Sequence, residues 1–479
     1  MKAIRLEYGD GTVDAQVPDN AVEIISGRAH GEPEPLADPV AATRDALRSP
    51  FGMAPITNQV GPGSKITIAF PDRVKGGVHD TAHRRVTMPL VLDELERAGV
   101  RSGDITLVCA IGLHRKNTAE EFAALLGPEV LDRLDRAQIV NHDAEDPDVA
   151  DIGVSRHGDP VQVNRNLLDS DLTILLGHTS GNPYGGFSGG YKMPATGLTT
   201  WRSIRAHHSP GTMHRPDFVP ASTHSHFRDQ LRAIGQAMEQ AMPRPFFSID
   251  AVLDGQSRQL QVAAGAIAAV EQATWPLARR RTDVILDGPP ADVMILGMPR
   301  DFHYGKGMGS NPILLTQAIG AAVTRAGSAL VDKPVIIAAS VCDGYFNEPE
   351  FPATVALYDA LQTTDSAADL VRFEDAYATR ADWVDAYRSG VAYHPFHAFS
   401  MAYMGGVAAI NAAEIFIAGA QQPAYAEGMG CVPVESVEAA LAAAGRHVGG
   451  DPRVLVIPEL SKPAYHLAVR DDRRTPVRR

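Results

Sequence analysis

The sequence predicts an α/β fold: two α/β domains with mainly parallel sheets and an interdomain active-site cleft. Three observations lead there. The chain has 479 residues, too many for one ordinary core and suited to two domains of roughly 200 residues each. Short β-branched runs alternate with helical patterns in both halves, the rhythm of βαβ units. Several of those runs end directly in polar or glycine-rich loops, as in open parallel sheets that bind ligands outside the carboxyl ends of their strands.

Taken in order, "KAIRLEYGDGTVDAQV" reads as a β-hairpin turning at Gly9, Asp10 and Gly11. A polar, proline-containing stretch (27–39) precedes an expected helix over 41–48. "KITIAF" (65–70) is a strand running into Pro71 and Asp72. "MPLVLDELERAG" places Pro89 near a helix start, with Leu92, Leu95 and Ala98 at helical spacing and Gly99 at the stop. "DITLVCAIG" (104–112) is a buried strand, after which Thr118 and Glu121 form a capping box for the next helix. "DLTILLG" (171–177) is another buried strand. Beyond Thr282, "ADVMILGMPRD", "KPVIIAASVCDG", "AAEIFIAGA" and "PRVLVIPE" are strand-like, with a helical pattern over 312–325. The junction is expected near 270–285, giving an N-terminal α/β domain over 1–275 and a C-terminal α/β domain over 276–479.

Composition narrows the function. A net charge of -13 argues against nucleic-acid binding, which needs a basic surface, and the basic tail from Arg470 is local. Cys109, Cys342 and Cys431 are too scattered for a disulfide framework or a cysteine metal site. No apolar run approaches the length of a membrane span, and the start has no apolar leader, so a cytoplasmic protein without a membrane partner is expected.

Five polar loops are candidates for one cleft: "PDRVKGG" (71–77), "GLHRKN" (112–117), "GHTSGNPYGGFSGGYK" (177–192), "PRDFHYGKGMGSNP" (299–312) and "CDGYFNEPEF" (342–351). His114 lies between a buried strand and a capped helix, a place that holds a side chain rigidly toward a ligand. Asp72 and Lys75 follow a strand in the same way. Six of the 17 histidines fall between His178 and His226, which raises a metal site as an option although the spacing fits no zinc motif. The run through Ser188, Gly189 and Gly190 to Lys192 resembles a phosphate-binding loop but has Met193 where the magnesium-ligating hydroxyl belongs. A lysine in a dry, glycine-lined wall loses its charge readily and becomes a nucleophile toward a carbonyl or thiocarbonyl carbon.

Together, "PDRVK", "GLHR", "NHDAED", "VNRNLLDSDLTILLG" with "GGFSGGYK", "GMPRD" and "CDGYFNEPEF" occur in an order that resembles the lactate racemase family, enzymes carrying a nickel-pincer nucleotide. The resemblance implies that Lys192 anchors this pyridinium-derived mononucleotide through a thioamide, with Ser188, Gly189 and Gly190 beside it. It further implies that His208, favoured over His207, is the nickel ligand and that His114 is an acid/base group. The expected reaction is racemisation or epimerisation of a small-molecule 2-hydroxy acid other than lactate, with cofactor-synthesis enzymes as partners. Lys75, Arg73 or Lys306 would hold the carboxylate. The family's second acid/base histidine falls on Asn182, leaving His178 or Tyr184 as substitutes, and its Asp-x-x-Arg arginine is Lys75. One-sided hydride chemistry with the same cofactor, a zinc hydrolase using His207, His208 and His214, and a cofactor-free hydroxy-acid-binding protein are the alternatives.

Overall fold

The computed structural model describes residues 1–24, 33–460 and 465–470; residues 27–32 of the polar stretch and the basic tail beyond Arg470 lie outside them. The protein is α/β with two mainly parallel mixed sheets. The first sheet, six-stranded among the described residues, runs Gln259–Ala266, Phe247–Leu253, Leu172–Thr179, Ile66–Phe70, Ile105–Cys109, Ile139–Asn141. All its pairs are parallel except the Phe247–Leu253/Gln259–Ala266 hairpin. Ile66–Phe70 is buried at every position, as expected of a central strand covered on both faces.

The second sheet, eight-stranded among the described residues, contains the four expected strands of the later half and two contributions from the start of the chain. The hairpin of Lys2–Gly9 and Gly11–Val17 joins it through parallel pairing of Tyr8 with Met298, and Val22–Glu23 pairs with Val454–Ile457. Residues grouped with the first domain by sequence order thus complete the sheet of the later half. Ile4, Leu6, Ala15 and Val17 form one face of the hairpin and pack with Val293, Ile295, Val335 and Ile337. A lone hairpin cannot bury such a face.

Two helices differ from expectation. The segment placed at the junction is the helix Ile267–Thr282, packed on the first sheet through Val270, Thr274, Leu277 and Ala278, with Pro276 in its interior. Pro89 likewise lies inside a helix, His83–Arg97, rather than near its start. An interior proline costs about 3 kcal/mol, which burial of Val86, Met88, Val91, Leu92 and Leu95 offsets. The expected Thr118/Glu121 capping box opens Ala119–Leu126; the structure adds Asp38 as the cap of Pro39–Arg48 and Asn311 as the cap of Pro312–Ala326.

Candidate active site

A cavity of about 410 Å³ lies between the two halves. Asp72, Lys75, His114, His178, Ser188, Gly189, Lys192 and His208 line it from the first half; Tyr304, Gln317, Arg325 and His397 line it from the second.

The strand Ile66–Phe70 delivers Asp72, and the turn after Ile105–Cys109 delivers His114. Their side chains meet, His114 Nδ1 donating to Asp72 Oδ2 at 2.6 Å. That bond fixes the tautomer and leaves Nε2 as the lone-pair nitrogen on the cavity side. Burial works to raise the Asp72 carboxyl, but His114, Lys75 and Arg84 outweigh it and hold the group down at about 2. Arg84, in the first turn of His83–Arg97, donates to the carbonyls of Pro71, Asp72 and Gly77 at 2.7, 2.7 and 2.8 Å and fixes the loop that carries Asp72 and Lys75. Sequence reading missed this arginine because Pro89 hid the helix start.

The glycine loop is shaped by the protein beneath it. Gly189 (φ 75°) and Gly190 (φ 53°) adopt left-handed backbone. A Cβ on Gly190 would lie 2.3 Å from Glu271 Oε1, and one on Gly189 would lie 2.9 Å from Asp250 Oδ2. These glycines therefore allow approach to a buried acidic floor, not to a ligand alone, and Gly190 stands outside the cavity lining. Burial lifts Asp250 to about 7, and Glu271 pairs with the buried Arg228 at 2.5 Å. Ser188 Oγ donates to His178 O at 2.9 Å and receives Ser180 N–H at 3.0 Å, closing the loop on itself.

This loop delivers Lys192 to the wall, 9% exposed, with its amine 5.4 Å from the centre of the Phe227 ring. Among the described residues no carboxylate pairs with it. Burial first, then Lys75 and Arg228, pushes the amine well below the ordinary lysine range. A neutral amine is the nucleophilic form.

Of the adjacent histidines, His208 lines the cavity and His207 does not. Their Nδ1 atoms are 2.7 Å apart, His207 Nε2 lies 3.3 Å from Ala195 O, and His208 Nε2 has no protein partner among the described residues. Burial, together with His207 and Lys192, keeps His208 neutral, the state a metal requires of imidazole. His214 turns to Tyr403 O at 2.9 Å, so the zinc-hydrolase triad is not assembled. Among the described residues no group of three or more His, Cys, Asp or Glu side chains is placed to hold a metal. His208 brings one imidazole donor to the cavity wall.

Three expectations are corrected. Lys306 is exposed and outside the cavity; at the turn of His303 (φ 32°) and Gly305 (φ 117°), His303 and Tyr304 line the cavity instead, Tyr304 buried and His303 exposed. Arg73 turns away to Tyr393 Oη at 3.1 Å and Glu121 at 3.4 Å. Tyr184 is a poor base: it receives Gln317 Nε2–H at 3.2 Å, and burial holds its hydroxyl well above the tyrosine range. Asn182 shapes the loop by accepting Tyr184 N–H at 2.8 Å. His178 does line the cavity, with burial, Lys75 and Arg84 pushing it down to about 3.

Sequence reading also missed Gln317, Arg325 and His397, which lie in strongly apolar helices with no local motif. The cations Lys75, Arg281 and Arg325 outnumber the lining carboxylates Asp72 and Asp254, and Asp254 is paired with Arg258 at 2.7 Å. The cavity thus suits an anionic ligand.

Comparisons with known proteins find similarity in sequence and in fold. Residues 8–218 match the model of the lactate racemase N-terminal domain. The chain is 25% identical over 209 residues to a lactate racemase from Thermoanaerobacterium thermosaccharolyticum, covering 43% of this chain and 47% of that protein. It is 26% identical over 221 residues to one from Lactiplantibacillus plantarum, covering 45% and 49%. The chain spans about half the length of the curated relatives it matches. In structure it resembles the lactate racemase apoprotein from T. thermosaccharolyticum, with a TM-score of 0.69 at 20% identity over 98% of this chain and 100% of that one. It also resembles a protein from Thermotoga maritima, with a TM-score of 0.54 at 15% identity over 91% and 99%.

Proposed function

For a chain whose residues 8–218 match the model of the lactate racemase N-terminal domain, we propose racemisation or epimerisation of a 2-hydroxy acid with a nickel-pincer nucleotide held on Lys192. The observation that carries this reading is the convergence on one cavity of a buried amine without a carboxylate partner and an Asp-backed histidine. The residues fit the cofactor: Lys192 would hold it covalently, and the unengaged Nε2 of His208 would ligate nickel. When bound, the group supplies a hydride acceptor for the alcohol carbon.

The chain supplies the rest. Lys75 attracts the substrate carboxylate as a point charge, without the bidentate fork an arginine would offer. His114 Nε2 takes the hydroxyl proton, Asp72 stabilises the imidazolium that results, and the same nitrogen returns the proton when the planar 2-oxo acid is reduced on its other face.

The test is incubation of single enantiomers of 2-hydroxy acids with cofactor-loaded protein in heavy water, read by chiral chromatography and mass spectrometry. The opposite enantiomer should form with no deuterium on the alcohol carbon, because the hydride leaves and returns without meeting solvent. Accumulation of a ketone or alkene would contradict racemisation. It would favour one-sided hydride chemistry, a second reading motivated by Asn182, whose amide cannot exchange a proton as a histidine would.

A further inference from the structure

Among the described residues, the buried histidines are hydrogen-bonded, with one informative exception. His83 bonds Ile249 O and Thr87 Oγ1, His142 bonds Thr199 O and Asn164, and His394 bonds Glu145 and the Phe396 N–H, each through both ring nitrogens. His397 is 3% exposed and lines the cavity, yet neither of its ring nitrogens has a partner among the described residues. Leaving both unmade sacrifices the hydration of two polar groups with no return inside the free protein.

The position of His397 is well determined. It lies in the first turn of the helix Pro395–Asn411, whose cap His394 donates its N–H to Leu113 O at 2.9 Å, next to His114. Tyr387 Oη donates to Gly112 O at 3.0 Å and ties the same loop to the second half. The His397 ring consequently stands 5.6 Å from the His114 ring at 82°, with Tyr304 and Tyr393 at 5.0 and 4.6 Å. The two rings are thus neighbours in the wall of the same cavity.

We propose that His397 binds the oxygen on the reacting carbon of the substrate, facing His114 across it. A neutral imidazole offers one N–H donor and one lone pair, the complement of a hydroxyl, and its N–H equally serves a carbonyl oxygen. Burial favours that neutral form. While His114 Nε2 takes the hydroxyl proton, the His397 N–H stays in place and polarises the oxygen, as a neutral imidazole can in other enzymes. His397 transfers no proton or electron in this role. The assignment rests on the 2-hydroxy acid reading above.

The experiment compares wild type, His397→Phe and His397→Gln, using oxamate as a planar probe with a carboxylate beside a carbonyl. Calorimetric binding is measured on cofactor-free and cofactor-loaded protein, and thermal unfolding on the ligand-free forms. His397→Phe should bind oxamate about tenfold more weakly, the loss of one neutral hydrogen bond, while its unfolding temperature stays level or rises because a buried unpaired polar group is gone. His397→Gln, which keeps a donor and an acceptor, should recover most of the affinity. Undiminished binding by His397→Phe, or a marked drop in its unfolding temperature revealing a structural histidine, would overturn the assignment. A wild-type protein that binds neither oxamate nor any 2-hydroxy acid in either form would overturn the functional reading itself, and this assignment with it.

Discussion

Asp72 illustrates how one carboxylate can serve both stability and chemistry. Its folded value of about 2 lies below the ordinary 3.8, so its contribution is present above pH 4 and is lost as pH falls toward 2. The difference corresponds to about 2 kcal/mol. Urea unfolding of wild type and Asp72→Asn should therefore differ most near neutrality, with the gap narrowing by that amount between pH 4 and pH 2; a gap independent of pH would contradict the His114–Asp72 pairing. Both residues were legible in the sequence because each follows a buried strand at once, and the capping box at Thr118 marks where the His114 loop ends. His397 was not legible: in "YHPFHAFSMAY" it occupies an apolar helix, and its missing hydrogen bonds exist only in three dimensions. Lys306 misled for a related reason, since a turn of two residues decides which side chain of "HYGK" faces inward.

The glycine loop and the helix beneath it act as one element. The helix Ile267–Thr282 presents Glu271, paired with Arg228, against Gly190, so the route of the chain to Lys192 depends on a position without a side chain. Gly190→Ala combines left-handed strain with a Cβ 2.3 Å from the Glu271 carboxylate. It should cost about 1–3 kcal/mol in denaturant unfolding and reduce cofactor attachment; unchanged stability would show that the loop is not pressed against this floor. The motif itself was readable, whereas its support was not. Pro276 and Pro89 each interrupt a helical pattern that tertiary burial sustains, and local propensity has no access to that burial.

Across the whole molecule, alternating strands and helices announced two α/β layers, and strand ends announced where a ligand would sit. The return of the N-terminal hairpin to the later sheet was invisible because pairing between Tyr8 and Met298 leaves no local trace. The charge distribution is likewise a property of the folded chain: a protein of net charge -13 encloses a cavity in which cations outnumber carboxylates. The two halves supply different parts of the proposed chemistry, the first an amine, a metal donor and an Asp-backed base, the second a wall of tyrosine, glutamine, arginine and histidine. All of it depends on Lys192 carrying the cofactor. Intact-mass spectrometry of protein coexpressed with the cofactor-making enzymes and nickel tests that claim most directly. Wild type should carry the added mass of one nickel-pincer nucleotide, and folded Lys192→Ala should carry none; an adduct that survives Lys192→Ala, or its absence from wild type, would contradict the account.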